Sequence, residues 1–473
     1  MLFAATEPNP IMILPFGILL ATIALAPLFF LHWWEKHYPK VAYVLGTITL
    51  TYYFLGLHDY HTVMHTAEEY VSFICLVGSL FVVSGGIHIK IKGEATPVAN
   101  VMFLLFGAVI ANVLGTTGAS MLLIRPWIRM NKYRITAHHI VFFIFIVSNV
   151  GGCLTPIGDP PLFLGYLKGI PFWWVLENCW PMWLLGVGLL LVIFYVVDLI
   201  NYRKAPKSVR EELAEPPDEW HFEGASNIFF LGLILASVFI TSPKFLREAL
   251  MVAAAVGSYL TTKRHVHEAN HFNFEPIREV AILFIGIFAT MMPALAWLQA
   301  NAGQMQDPST GFFYWGTGLL SGVLDNAPTY LSFLSASFGV FVTPEVVQGV
   351  EALLADQGAG LATLTGPNAE VIKNAYSGLQ QYFSIKGGVA TTEQIELAVL
   401  LGNPDMNQYI TAISVAAVFF GANTYIGNGP NFMVKSIADQ QKVHAPSFLG
   451  YVFRFTLPVM IPVVAVVWFV FFR

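Results

Sequence analysis

The sequence predicts an all-α polytopic membrane protein of about ten spans, built as two inverted five-span repeats. Each repeat is expected to hold a re-entrant hairpin and a broken helix. Three observations predict this class. Hydrophobic residues make up 56% of the chain and charged residues only 11%. Apolar stretches long enough to cross a bilayer recur in the same order in both halves, and Gly, Pro and Asn interrupt them at matching places. Soluble domains carry roughly a quarter charged residues, so with a mean hydropathy of +0.64 lipid must cover much of this surface.

Composition also excludes several functions. A net charge of −5 without a basic tail offers nucleic acid no electrostatic footprint. Cys75, Cys153 and Cys179 lie in or beside apolar runs without zinc or disulfide spacing, and read as small core residues. No nucleotide loop or metal-hydrolase spacing stands out, so the chain reads as a carrier rather than an enzyme, with no cofactor.

Residues 1–10 lack a positive segment, so the apolar run 11–34 reads as a retained span rather than a cleaved signal. Runs 41–57 and 69–89 follow. The hairpin candidate, 98–130, is interrupted by Gly115-Thr116-Thr117-Gly118-Ala119-Ser120. The broken-helix candidate, 138–167, contains Gly151-Gly152 and Pro156-Ile157-Gly158-Asp159-Pro160-Pro161. Run 172–198 completes a first repeat within residues 1–200, and a charged linker, 201–224, follows. The second repeat, 225–473, begins with runs 226–242, 247–262 and 276–299. Its hairpin, 312–338, centres on Asp325-Asn326-Ala327-Pro328-Thr329. A long loop, 339–404, separates it from the broken helix 409–438, which carries Gly421 and Gly427-Asn428-Gly429-Pro430, and run 446–472 ends the chain.

Local matches support the repeat. Ile157-Gly158-Asp159-Pro160-Pro161-Leu162-Phe163 aligns with Ile426-Gly427-Asn428-Gly429-Pro430-Asn431-Phe432. Asn112 aligns with Asn326, and Asn149 and Asn423 stand at the entry to each break. Glu69 and Glu279 each open the third span of their half.

Charge bias selects the topology. If each hairpin enters and leaves on one side, each half crosses five times and the second half is inverted. Lys and Arg then divide unevenly: six (Lys168, Lys244, Arg247, Lys373, Lys386, Arg473) lie outside with both termini, Arg454 lies within the last span, and the other seventeen of 24 lie inside. That is the bias that insertion physics favours. A fully crossing first hairpin would move Arg125, Arg129, Lys132 and Arg134 outside and weaken it.

Irregular backbone at membrane depth survives only where protein buries it or a wet cavity meets it. Paired breaks in two halves therefore point to a transport site. Their polar residues are Asn112, Thr116, Thr117 and Ser120 on one hairpin, and Asp325, Asn326 and Thr329 on the other. The broken helices add Ser148, Asn149, Thr155 and Asp159, then Asn423, Thr424, Asn428 and Asn431. Hydroxyl and amide oxygens with carboxylates suit a hard cation such as sodium, with Asp159, Asp325, Asn149 and Asn423 as ligands. A carboxylate kept from water can trade a cation for a proton near neutral pH. Alternatively, Asp159 caps the helix beginning at Pro160, Asp325 bonds to a neighbouring break, and the Asn and Thr residues hold the hairpins together. His58, Asp59, His61 and His65 read as a solvated loop, His138-His139 as an interfacial pair, and Glu69 and Glu279 as helix N-terminal acids.

The breaks Ser148–Asp159 and Gly421–Asn428, with Leu324-Asp325-Asn326-Ala327-Pro328-Thr329, resemble the ion transporter superfamily, which includes citrate and dicarboxylate carriers, sodium/proton antiporters and arsenite pumps. The sequence is most similar to its putative citrate transport family, whose members are often called sodium:proton antiporters. The resemblance covers nearly the whole chain except loop 339–404. It implies a transport domain of hairpins, broken helices and final spans that moves as an elevator on a homodimeric scaffold, in a bacterial inner membrane. The Ser-Asn-Thr tips of dicarboxylate carriers are absent here. Sodium/proton antiport is therefore the first expectation, with sodium and protons as the ions carried. A sodium- or proton-coupled citrate or dicarboxylate carrier is the alternative, with Thr116, Thr117 and Thr329 near the substrate.

Overall fold

Long apolar runs satisfy their backbone groups internally as helix, the form a single segment can take within lipid. The computed structural model describes residues 8–90, 96–204, 221–240, 242–305, 308–383, 385 and 390–473, and is helical almost throughout. Most of the expected linker, 205–220, lies outside the described residues, as do Lys92, Lys207, Arg210 and Lys386. Among the described residues, 8 helices are long and apolar enough to cross a membrane, or 9 if Asn326–Phe341 and Pro344–Ala355, bent by 81°, form one span. The helices Asn227–Val238 and Leu246–Thr261 stand where two more spans were expected. At 12 and 16 residues they are shorter than the roughly 20 needed for a crossing. One small departure from an all-helical chain is an antiparallel strand pair, His88–Lys90 with His221–Glu223.

The segment Pro97–Met130 doubles back. Gly115 has φ 73 and ψ 156 within it, a conformation essentially confined to glycine. A straight helix of this length would hold its ends about 50 Å apart. Instead Asn100 Nδ2 donates to Asn131 Oδ1 at 2.8 Å and Asn131 Nδ2 returns a bond to Asn100 Oδ1 at 3.0 Å. A second doubled-back pair is Thr310–Ser321 with Asn326–Phe341, whose arms bring the rings of Phe313 and Phe341 to 6.2 Å.

Two helices break where Gly, Pro and Asn concentrate. Ala137–Ile146 and Pro160–Leu167 flank one break, and Pro404–Gly421 and Gly429–Gln440 flank the other. The breaks share a hydrogen-bond pattern 269 residues apart in the chain. Thr155 Oγ1 accepts from Gly158 N at 3.1 Å and donates to Asn112 O on the first hairpin at 2.7 Å. Thr424 Oγ1 accepts from Gly427 N at 3.1 Å and donates to Gly322 O on the second hairpin at 2.8 Å.

Helices Leu14–Phe29, Leu31–Thr51, Tyr60–Gly85, Asn227–Val238, Leu246–Thr261 and Glu275–Asn301 pack largely among themselves. The hairpins, broken helices, Phe172–Lys204 and Ile461–Phe471 form a second packed group, which meets the first along Tyr60–Gly85 and Glu275–Asn301. Segment 339–404, expected as a loop, instead carries helices Pro344–Ala355, Ala369–Tyr382 and Thr392–Gly402 around a small core that includes Val350, Ala375, Leu379 and Ala398.

Two further expectations are corrected by burial. His138 and His139 are not interfacial: both are buried, with Nε2 atoms 3.3 and 3.1 Å from Asp198 Oδ1. Glu69 does not open a helix, because Tyr60–Gly85 begins nine residues earlier. It is buried there and pairs with Lys168 at 2.7 Å.

Candidate cation site

The first break exposes Asp159 to contacts from both hairpins. Asp159 occupies the N-cap position of Pro160–Leu167, yet its side chain caps nothing. Thr116 Oγ1, at the first hairpin tip, donates to Asp159 Oδ1 at 2.6 Å. Asn428 Nδ2, from the second break, donates to the same oxygen at 3.0 Å. Asn326 Nδ2, from the second hairpin, donates to Asp159 Oδ2 at 2.6 Å. Four discontinuous segments therefore meet on one carboxylate that is 1% exposed.

No basic side chain pairs with Asp159 or Asp325 among the described residues. A buried carboxylate without counter-charge is costly, and hydrogen-bond donors offset that only in part. Two amide oxygens on these segments, Asn326 Oδ1 of the second hairpin and Asn423 Oδ1 of the second break, are buried without a hydrogen-bond partner. Most buried acceptors have one. Unused amide oxygens on the segments that meet an uncompensated carboxylate are donor chemistry suited to a hard cation. A cavity of about 30 Å³ borders Thr116, Thr117, Gly158 and Asp159 and faces Leu76 and Leu80 of Tyr60–Gly85. It has room for one ion or water molecule.

The other expected ligands are placed less uniformly. Asp325 is half-buried and caps its own helix, its Oδ1 accepting from Ala327 N at 3.0 Å. Thr329 Oγ1 donates to Asp325 O at 2.9 Å. Asn149 reaches the centre through Asn428, whose Nδ2 donates to Asn149 Oδ1 at 3.2 Å. Asn112 ties the first hairpin to the first break, donating to Gly151 O at 2.7 Å and accepting from Leu154 N at 2.8 Å. Ser148 and Ser120 share a hydroxyl contact of 2.7 Å. Asn423 presents its free oxygen, while Thr424 and Thr155 brace the breaks.

Asn431, at a break in the sequence but not among the expected ion ligands, joins the two breaks. Its Oδ1 accepts from Asn149 Nδ2 at 2.7 Å, and its Nδ2 donates to Gly421 O and Thr424 O, both at 2.8 Å. Asn431 is the third residue of Gly429–Gln440, where an ordinary polar residue needs no such role.

Wide vestibules lie at opposite ends of Glu275–Asn301. One, of about 840 Å³, includes Arg125, Glu275, Arg278 and Ser436. The other, of about 600 Å³, includes His65, Glu69, Lys168 and Glu396. The sequence model of the family described as putative citrate transport matches residues 5–472. This chain belongs to that family. Comparison with curated proteins finds no match. Membership makes the chain a multi-pass membrane protein of a citrate-transporter family, and the paired breaks are the parts of this family member that gather polar atoms away from lipid.

His138, His139 and Asp198 form a second cluster with metal-ligand spacing. Arg134 already occupies the Asp198 carboxylate, with its second contact at 2.9 Å. Those residues read as a buried clamp between the end of the first hairpin and Phe172–Lys204.

Proposed function

We propose that this family member is a secondary active transporter in which sodium and protons compete for Asp159, giving sodium/proton antiport. The observation that carries the reading is the Asp159 carboxylate itself: buried, met by Thr116, Asn326 and Asn428, and lacking a basic partner. A proton or a cation neutralises such a group, and either ligand excludes the other. Asn326 Oδ1 and Asn423 Oδ1 supply neutral oxygens for the ion. Asp325 stands next to Asn326 and tunes the field without touching Asp159. In this reading the two halves are inverted copies, and the group holding the hairpins moves against the group holding Glu275–Asn301 to open one vestibule at a time.

A second reading couples the same cation to a carboxylate such as citrate, and the family match over residues 5–472 favours it. Proteoliposomes with an internal pH dye separate the two. Sodium-driven proton movement without any organic anion, lost in Asp159→Asn, supports antiport. A strict requirement for citrate replaces antiport with the second reading, and undiminished exchange in Asp159→Asn removes that residue from the site.

A further inference from the structure

The larger vestibule contains a cation that the ion site does not use. Arg125 lies on the second arm of the first hairpin, nine residues after Thr116, or about 13 Å along a helix. It is 6% exposed and borders the cavity of about 840 Å³. Among the described residues it makes no hydrogen bond and no ion pair, although Glu35, Glu275 and Glu279 border the same space. Each of those acids stands on the opposing helices Leu31–Thr51 and Glu275–Asn301, farther than the 4.0 Å of an ion pair.

An isolated guanidinium held away from water is expensive, and proteins rarely bury one without an anion. Its planar fork matches a carboxylate with two parallel bonds. Ser436 and Gln440, on Gly429–Gln440, bring neutral donors to the same cavity, and Arg278 and Lys36 at its border offset the charge of its acids. The cavity has the volume of ordinary small-molecule sites, and its lining includes Met121 on the first hairpin and Phe432 on Gly429–Gln440.

We propose that Arg125 is the anchor of a binding site for a small polycarboxylate of the citrate class, occupied from the vestibule before the anion or its coupled ion reaches the hairpin tips. The proposal rests on the carboxylate reading of the family match and is independent of sodium/proton exchange. It also separates two tasks: Asp159 meets the cation, and Arg125, a hairpin arm away, meets the anion.

The test uses the purified full chain in zwitterionic nanodiscs with potassium citrate, read by binding of radiolabelled citrate and by thermal midpoint, with sodium chloride as a separate arm. Wild type binds citrate and gains thermal stability from it. Arg125→Gln loses affinity by about tenfold or more, the worth of a charge-assisted pair, and Arg125→Lys retains part of it. Stabilisation by sodium persists in Arg125→Gln, which shows that the fold and the Asp159 site remain. If Arg125→Gln fails to fold, Arg125→Lys decides, since full wild-type affinity with the two-bond fork removed overturns the proposal. Absence of citrate binding to wild type, or equal binding by Arg125→Gln, also overturns it. So does Arg125-dependent retention of anionic lipid in place of citrate. Loss of the sodium response with citrate binding intact would instead sink the antiport reading alone.

Discussion

Asn326 Nδ2 donates to Asp159 Oδ2 at 2.6 Å across 167 residues of sequence, joining the second hairpin to the first break. The same amide leaves its Oδ1 without a partner. Asn326→Ala therefore removes both a donor to the carboxylate and an oxygen for the ion. Half-maximal sodium should rise by about tenfold or more, the equivalent of one bond to a charged group. Sodium titration of proton movement in proteoliposomes checks this; an unchanged midpoint would separate Asn326 from the ion.

Gly115 closes the first hairpin with φ 73, and a Cβ there would stand 3.2 Å from Ile157 O. Gly115→Ala should cost about 1–3 kcal/mol from the backbone conformation, with further loss from the contact. It should lower the thermal midpoint and displace Thr116 from Asp159. A variant as stable and as active as wild type would contradict the description of the tip.

Outside the spans, burial and then Glu393 push the Glu396 carboxyl up to about 7, against the opposing effects of Gln299 and Lys168. A carboxyl raised in the folded protein loses stability as pH climbs from its ordinary range through that value. Glu396→Gln should match wild type near pH 5 and exceed it near pH 8 by about 1–3 kcal/mol. Thermal midpoints across that interval test the sign; a gap that narrows with rising pH would contradict it.

Much of this arrangement was legible from residue order. Gly-Asp-Pro-Pro at Asp159 and Gly-Asn-Gly-Pro at Asn428 mark helix interruptions because Gly and Pro oppose continuation. Apolar run lengths mark most spans. The role of Asp325 was not legible, since capping and ion binding ask for the same side chain at the same helical position. Nor was the Asn326 bond to Asp159, which depends on how two distant hairpins pack. The helices within 339–404 had local signals in Thr343-Pro344 and in the Thr391 to Gln394 capping box, but their polarity makes them resemble a loop beside membrane spans. The Glu69–Lys168 pair likewise needed the third dimension.

Segment 339–404 also borders the vestibule that contains Glu396, and Gln299 Nε2 donates to Glu396 Oε1 at 2.8 Å. Gln299→Ala removes this tie between Glu275–Asn301 and Thr392–Gly402. Hydrogen exchange in Thr392–Gly402 should accelerate several-fold, the scale of one lost hydrogen bond, while sodium binding stays unchanged. Unaltered exchange would mean that the tie does not hold the helix.

The most direct measurement is equilibrium binding of radioactive sodium to the purified protein across pH, for wild type and Asp159→Asn. One carboxylate shared by two ligands predicts saturable sodium binding that weakens as protons are added, and its loss in Asp159→Asn. Sodium binding of equal strength in both proteins, or binding indifferent to pH, would contradict it.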